Sequence, residues 1–268
     1  SLFAVAAIKL LPHINGIFTS IAKIKFNIKA LDIIYDQLTN QNIQNDNSII
    51  THKFKSLELK NIFFNFEDGD TLLEDINFKL KNDDFIILTG KSGSGKSTLV
   101  DIILGLINAS SGQFILNNKT HSGMLSERIK IGYVAQEIML FEGSLISNIA
   151  LVDKNPNLKL IENIMKIACL EDVLESFGGN LNSVIYENGK NLSGGQRQRI
   201  SIARSLYNNP DLLILDEGSS ALDSETEKRV FDNLINLKVA ILLITHNKNL
   251  KKYATRSFEI QKGKLHEI

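Results

Sequence analysis

The sequence predicts an α/β fold: a mainly parallel central sheet flanked by helices, an antiparallel β pair ahead of it, and a helical N-terminal segment. Short runs rich in Ile, Leu and Val at Phe85–Thr89, Leu212–Leu215 and Val239–Thr245 read as strands buried on both faces. Helical patterns lie between them at Thr98–Leu106, Leu158–Leu174 and Gly194–Tyr207. Upstream, Leu57–Phe66 and Leu72–Leu80 alternate in polarity and suit an antiparallel pair. The 268 residues suffice for a sizeable core, and 43% apolar with 22% charged residues is ordinary for a globular chain. Thirty basic against 30 acidic residues give a net charge of zero, so composition makes no case for a nucleic-acid partner or an anionic membrane. The single cysteine, Cys169, excludes an internal disulfide framework, and no Cys/His cluster suggests zinc.

The first element is apolar. Residues 1–11 are interrupted only by Lys9 and closed by Pro12. A spanning helix needs about 20 apolar residues, so this run is either the last turns of such a helix or an ordinary buried one. Ile17, Ile21, Ile24, Ile28, Leu31, Tyr35 and Leu38 then recur at spacings of 4 and 3, a single stripe along a helix. Lys23, Lys25, Lys29, Asp32 and Asp36 fall off it. The stripe must pack on its own domain, on other helices or on a second copy. Residues 39–48, polar and rich in Asn, read as a linker, which sets expected boundaries of 1–50 and 51–268. The chain opens on Ser1 without a signal-peptide pattern, which suggests a piece of a longer chain or a processed one.

Next comes chemistry. Strand 85–89 runs into Gly90-Lys91-Ser92-Gly93-Ser94-Gly95-Lys96-Ser97-Thr98, a match to G-x-x-x-x-G-K-[ST] with a strand before it and a helical pattern after it. Glycines let the backbone curl so that successive N–H groups face phosphate oxygens, and the following helix start adds partial positive charge. Lys96 supplies a point charge for the β- and γ-phosphates, and the Ser97 hydroxyl suits Mg²⁺. Leu212–Leu215 ends in Asp216 and Glu217: one carboxylate for the Mg²⁺ shell, the next for a water, or two surface acids at a strand end. In Leu192-Ser193-Gly194-Gly195-Gln196-Arg197, Ser193 and Gln196 fit a capping box. The two glycines leave N–H groups open to an anion, so this is a second phosphate-seeking helix start. One γ-phosphate would lie between both helix starts if two chains faced each other.

These motifs, in this order over residues 55–268, resemble the nucleotide-binding domain of ATP-binding cassette (ABC) proteins: phosphate loop, LSGGQ at 192–196, and LLILDE at 212–217. The resemblance implies a phosphate-loop ATPase core with an antiparallel β subdomain and a helical signature subdomain, binding ATP and Mg²⁺. It implies that Gln136, in Gly-Tyr-Val-Ala-Gln, touches Mg²⁺ and the attacking water, and that Ser220-Ala221-Leu222-Asp223 crosses a dimer interface. It likewise puts His246, in Ile-Thr-His, near the γ-phosphate, and makes Glu217 the general base. Phe66 stands where the family usually has a tyrosine stacked on adenine; the aromatic face is kept.

Glu187-Asn188-Gly189-Lys190-Asn191 resembles the E-x-G-x-x stretch before the signature in exporters, with Tyr186 in place of the usual preceding glycine. Leu140-Phe141-Glu142-Gly143-Ser144 with Asn148-Ile149 resembles the exporter stretch after the Q-loop. Ala7–Pro12 and Asn15 resemble the end of the last membrane helix, especially in flippases for lipid-linked oligosaccharides and related lipid exporters. The expectation is an ATP-hydrolysing exporter domain at the cytoplasmic face of the inner membrane. It would pair head to tail with a second cassette and join membrane helices of the same full-length chain. Its cargo would be a lipid, lipid-linked oligosaccharide, peptide or drug. An importer subunit, a soluble ABC ATPase without transport, and a regulatory ATPase with 17–38 as a dimerisation helix stay open at this stage.

Overall fold

The computed structural model describes residues 2–39, 54–66, 68–121, 129–151, 153–219 and 221–268, and the chain divides into two compact units, residues 1–49 and 50–268. The first unit is one helix, α1 (Leu2–Thr39). The sequence closes a segment at Pro12, yet α1 runs through it. Proline removes one ladder hydrogen bond at a cost of about 3 kcal/mol, but the turns on either side keep theirs. Ile17, Ile21, Ile24, Ile28, Leu31 and Tyr35 of the apolar stripe are all exposed. No helix among the described residues is long and apolar enough to cross a membrane. Most of the expected linker, residues 40–48, lies outside the described residues, as does Ser220.

The second unit begins with the antiparallel pair β1 (Ser56–Asn65) and β2 (Thr71–Lys81), close to the expected bounds. Then come β3 (Phe85–Gly90), α2 (Lys96–Leu104), β4 (Ser111–Leu116) and β5 (Lys119–His121). The strands β2-β1-β4-β5 form one antiparallel sheet. After β6 (Ile131–Val134), β7 (Gly143–Ser144) and α3 (Leu145–Ala150) stand α4 (Leu158–Ile167) and α5 (Glu171–Ser176). The sequence pattern has a single helix over 158–174; the structure breaks it at Cys169, whose φ is +53°. Leu170 N–H donates to Met165 O and Cys169 N–H to Lys166 O, the two bonds of a Schellman stop. A cysteine occupies the left-handed position that glycine usually fills, so the stop carries no sequence signal.

The chain continues through β8 (Val184–Ile185), paired with β7, and α6 (Gly194–Leu206). It ends with β9 (Leu212–Asp216), α7 (Ser224–Ile235), β10 (Ala240–Ile244), β11 (Arg256–Gln261) and β12 (Lys264–Glu267). The central sheet has the order β12-β11-β3-β10-β9-β6, parallel except for β12. Successive residues of its strands feed different cores. Ile87, Leu213, Leu215, Ile241 and Leu243 pack with the helices α3, α4, α6 and α7. Ile86, Leu88, Leu212, Ile214, Leu242 and Ile244 pack with α2 and the antiparallel sheet. This double burial, about 1.5–3 kcal/mol per large side chain, explains why the strands read as continuous apolar runs.

Candidate active site

Four parallel strands point their C-terminal ends at one edge of the sheet, where open α/β sheets bind ligands. β3 delivers the phosphate loop, β9 ends in Asp216, β10 leads to His246 and β6 to Gln136. They surround a cleft of about 450 Å³ lined by Phe66, Leu72, Ser92, Gly93, Gly95, Lys96, Ser97, Thr98, Gln136, Asp216, Glu217 and His246.

Gly95 caps α2 at φ +101°, and a Cβ there would lie 2.6 Å from a methyl of Leu73. Only glycine therefore turns the loop into the helix at this distance from β2. Lys96 Nζ donates to the carbonyls of Gly90 (2.8 Å) and Lys91 (2.9 Å), which folds the ammonium over the loop. The Ser94 hydroxyl is buried without a hydrogen-bond partner. Gly90 and Lys91 line a neighbouring cleft with Thr245, His246 and Asn247 rather than the main one.

The two carboxylates differ. Asp216 is buried, and burial, then the charges of Glu217 and Asp101, push its carboxyl above the usual range against the pull of Lys96. Glu217, half-buried, sits in the left-handed region at φ +50°, an uncommon conformation for a side-chain-bearing residue. Gln136 Nε2 donates to its Oε2 at 3.1 Å, and His246 Nε2 stands 3.9 Å from its Oε1. Thus Lys96, Ser97, Gln136, Asp216, Glu217 and His246, the last four far in sequence from the loop, share one cleft. Phe66 joins them, half-exposed, with its ring edge-on to Phe64 at 5.5 Å.

Ser193, Gly194, Gly195, Gln196 and Asp223 do not line this cleft. Ser193 caps α6 as a full capping box with Gln196. Asp223 caps α7, accepting from the N–H groups of Glu225 (3.1 Å) and Thr226 (2.9 Å), which hold its carboxyl below the usual range. Two supporting pairs escape a motif search. Gln198, buried, bridges α6 to the turn after β9. Asn247, next to His246, donates to both carboxylate oxygens of buried Glu227 on α7. The signal for Gln198 is a polar residue on the buried face of an amphipathic helix. The stretch after the Q-loop folds around Asn148, which exchanges two hydrogen bonds with the Phe141 backbone, both 2.9 Å.

No group of three or more His, Cys, Asp or Glu among the described residues forms a metal cage. A buried, charge-crowded Asp216 in the same cleft as Ser97 nevertheless fits Mg²⁺, which takes one or two protein ligands and the rest from phosphate and water.

Fold and site together define a phosphate-loop ATPase of the cassette type. The ABC transporter family profile matches residues 73–220, and the chain belongs to that family. It carries the nucleotide-binding domain of the exporter type. It is 33% identical over 254 residues to the lacticin-481/lactococcin-DR transport/processing ATP-binding protein of Lactococcus lactis subsp. lactis, covering 91% of this chain and 36% of that one. It is 35% identical over 218 residues to the alpha-hemolysin translocation ATP-binding protein HlyB of Proteus vulgaris, covering 79% and 31%. A bacterial Atm1-family ABC exporter solved with ATP bound shares the fold, with a TM-score of 0.74 at 24% identity over 80% of this chain and 38% of that one. The chain thus spans 36% and 31% of the two curated relatives' lengths. None of these three is named as a lipid-linked oligosaccharide flippase, and that finer grouping gains no support from them.

Proposed function

We propose that this chain binds ATP with Mg²⁺ in the cleft, hydrolyses it, and thereby powers an exporter in which two such domains close head to tail. The observation that carries the reading is Glu217, held between Gln136 and His246 beside the phosphate loop. Phe66 would stack on the adenine. The loop N–H groups and Lys96 would bind the phosphates, Lys96 exchanging its two carbonyl partners for phosphate oxygens. Asp216, Ser97 and Gln136 would hold Mg²⁺, which neutralises charge on the β- and γ-phosphates when bound. Glu217 would accept the proton of the attacking water, with Gln136 orienting that water and His246 donating to the γ-phosphate.

Ser193, Gly194, Gly195, Gln196 and Asp223 would serve the cleft of a second copy, since they lie outside their own chain's cleft. Residues 1–50 would be the end of a transmembrane domain and its linker, and the exposed stripe of α1 would pack on helices of that domain. The site would then face the cytoplasm at the inner membrane. For cargo, the names lacticin-481 and alpha-hemolysin favour a substrate of that kind over a lipid-linked oligosaccharide.

The test is ATP turnover and ATP binding for the wild type and Glu217→Gln. A fall in turnover of about 100-fold or more with binding retained is expected. Turnover at the wild-type rate would sink the assignment of the base.

A further inference from the structure

We infer that Gln198 is the positioning residue for Glu217, through the backbone of the turn that carries it; this rests on the proposed ATPase reading. Glu217 is held in a left-handed conformation at φ +50°, and such a residue persists only where its surroundings over-determine it. Its N–H is fixed by Ile244 O at 2.9 Å. Its carbonyl accepts from Gln198 Nε2 at 3.0 Å, and the Ala221 N–H donates to Gln198 Oε1 at 2.9 Å. One side-chain amide thus ties to both Glu217 and Ala221. Gln198 is 3% exposed, so water does not compete for either bond. The two partners also fix the amide's orientation: a carbonyl demands the NH₂, an N–H demands the oxygen.

The clamp starts on α6, one turn from its capped N-terminus. At Gly195 a Cβ would lie 3.0 Å from Ala221 O, so the same helix start also packs against the same turn. Any displacement of α6 is therefore passed to the Glu217 carboxylate without any contact between Gln198 and the nucleotide.

Gln198→Glu keeps the acceptor for Ala221 and removes the donor to Glu217; Gln198→Met removes both. Each is compared with the wild type for kcat, KM for ATP and melting temperature. Both variants are expected to lose kcat by about tenfold to 100-fold, with KM within about twofold, as misplacing a reacting group does. A protonated carboxyl can donate again, so the Gln198→Glu deficit relative to wild type shrinks as pH falls, while that of Gln198→Met stays constant. Wild-type kcat in either folded variant, or a Gln198→Glu deficit independent of pH, would overturn the inference. Hydrogen exchange of the Gln198 side-chain amide in the wild type needs no variant to fold. Protection supports the clamp, and exchange as fast as at a surface glutamine refutes it. A wild type that hydrolyses no ATP would instead sink the ATPase reading, leaving the amide exchange to report on the clamp.

Discussion

Asp216 carries an electrostatic load that Lys96 only partly relieves. Burial raises its carboxyl pKa first, and Glu217 and Asp101 add to the rise. The sign follows from linkage: the folded state holds the proton more tightly than the unfolded one, so stability falls as pH rises between the ordinary and the raised value. At neutral pH the ionised side chain is a cost accepted for function. Asp216→Asn is therefore expected to raise the melting temperature of the nucleotide-free protein by a few degrees and to abolish Mg²⁺-dependent turnover. A lower melting temperature in differential scanning calorimetry would contradict this reading of the site. At this scale the phosphate loop was legible, because curling a backbone around phosphate needs glycines at fixed spacing. Gln198 and Asn247 were not, because their roles depend on partners 19 and 20 residues away in sequence and on the fold that joins them.

At the scale of elements, β3, β9, β10 and α6 emerged close to their expected bounds, because double burial and a capping box leave marks in the sequence; β6, β11 and β12 of the same sheet were not foreseen. The break between α4 and α5 left none. It is held from outside: Arg199 on α6 donates to the Cys169 carbonyl and makes a two-pronged pair with Asp172 on α5, at 2.6 and 2.8 Å. The Arg199 hydrogen bond is the largest cause holding the Asp172 carboxyl below the usual range. This pairing contributes stability above the ordinary carboxylate value and loses it as pH falls through the depressed one. Asp172 is half-exposed, so solvent screens the charge and the carbonyl bond matters more. Arg199→Met should cost about 1–3 kcal/mol at neutral pH by urea unfolding, and less in acid. An equal cost at both pH values would leave the ion pair without a part in it. Pro12 is the opposite case: a strong sequence signal that a long helix overrides.

At the scale of the whole molecule, the phosphate loop and the signature motif of one chain do not share a cleft. The cleft holds the phosphate loop, the carboxylates and the histidine, and the glycine-rich start of α6 is not part of its wall. The sequence made both motifs legible, since each is short and has its own backbone geometry. It left open what α1 packs on, and in the structure its apolar stripe stays exposed. If two copies supply each other's missing half, blocking hydrolysis should trap the pair. The most direct measurement is the molar mass of Glu217→Gln by light scattering, with and without ATP and Mg²⁺. The expected mass is that of one chain without nucleotide and of two with it. One-chain mass at saturating bound ATP, or two-chain mass without any nucleotide, would contradict it.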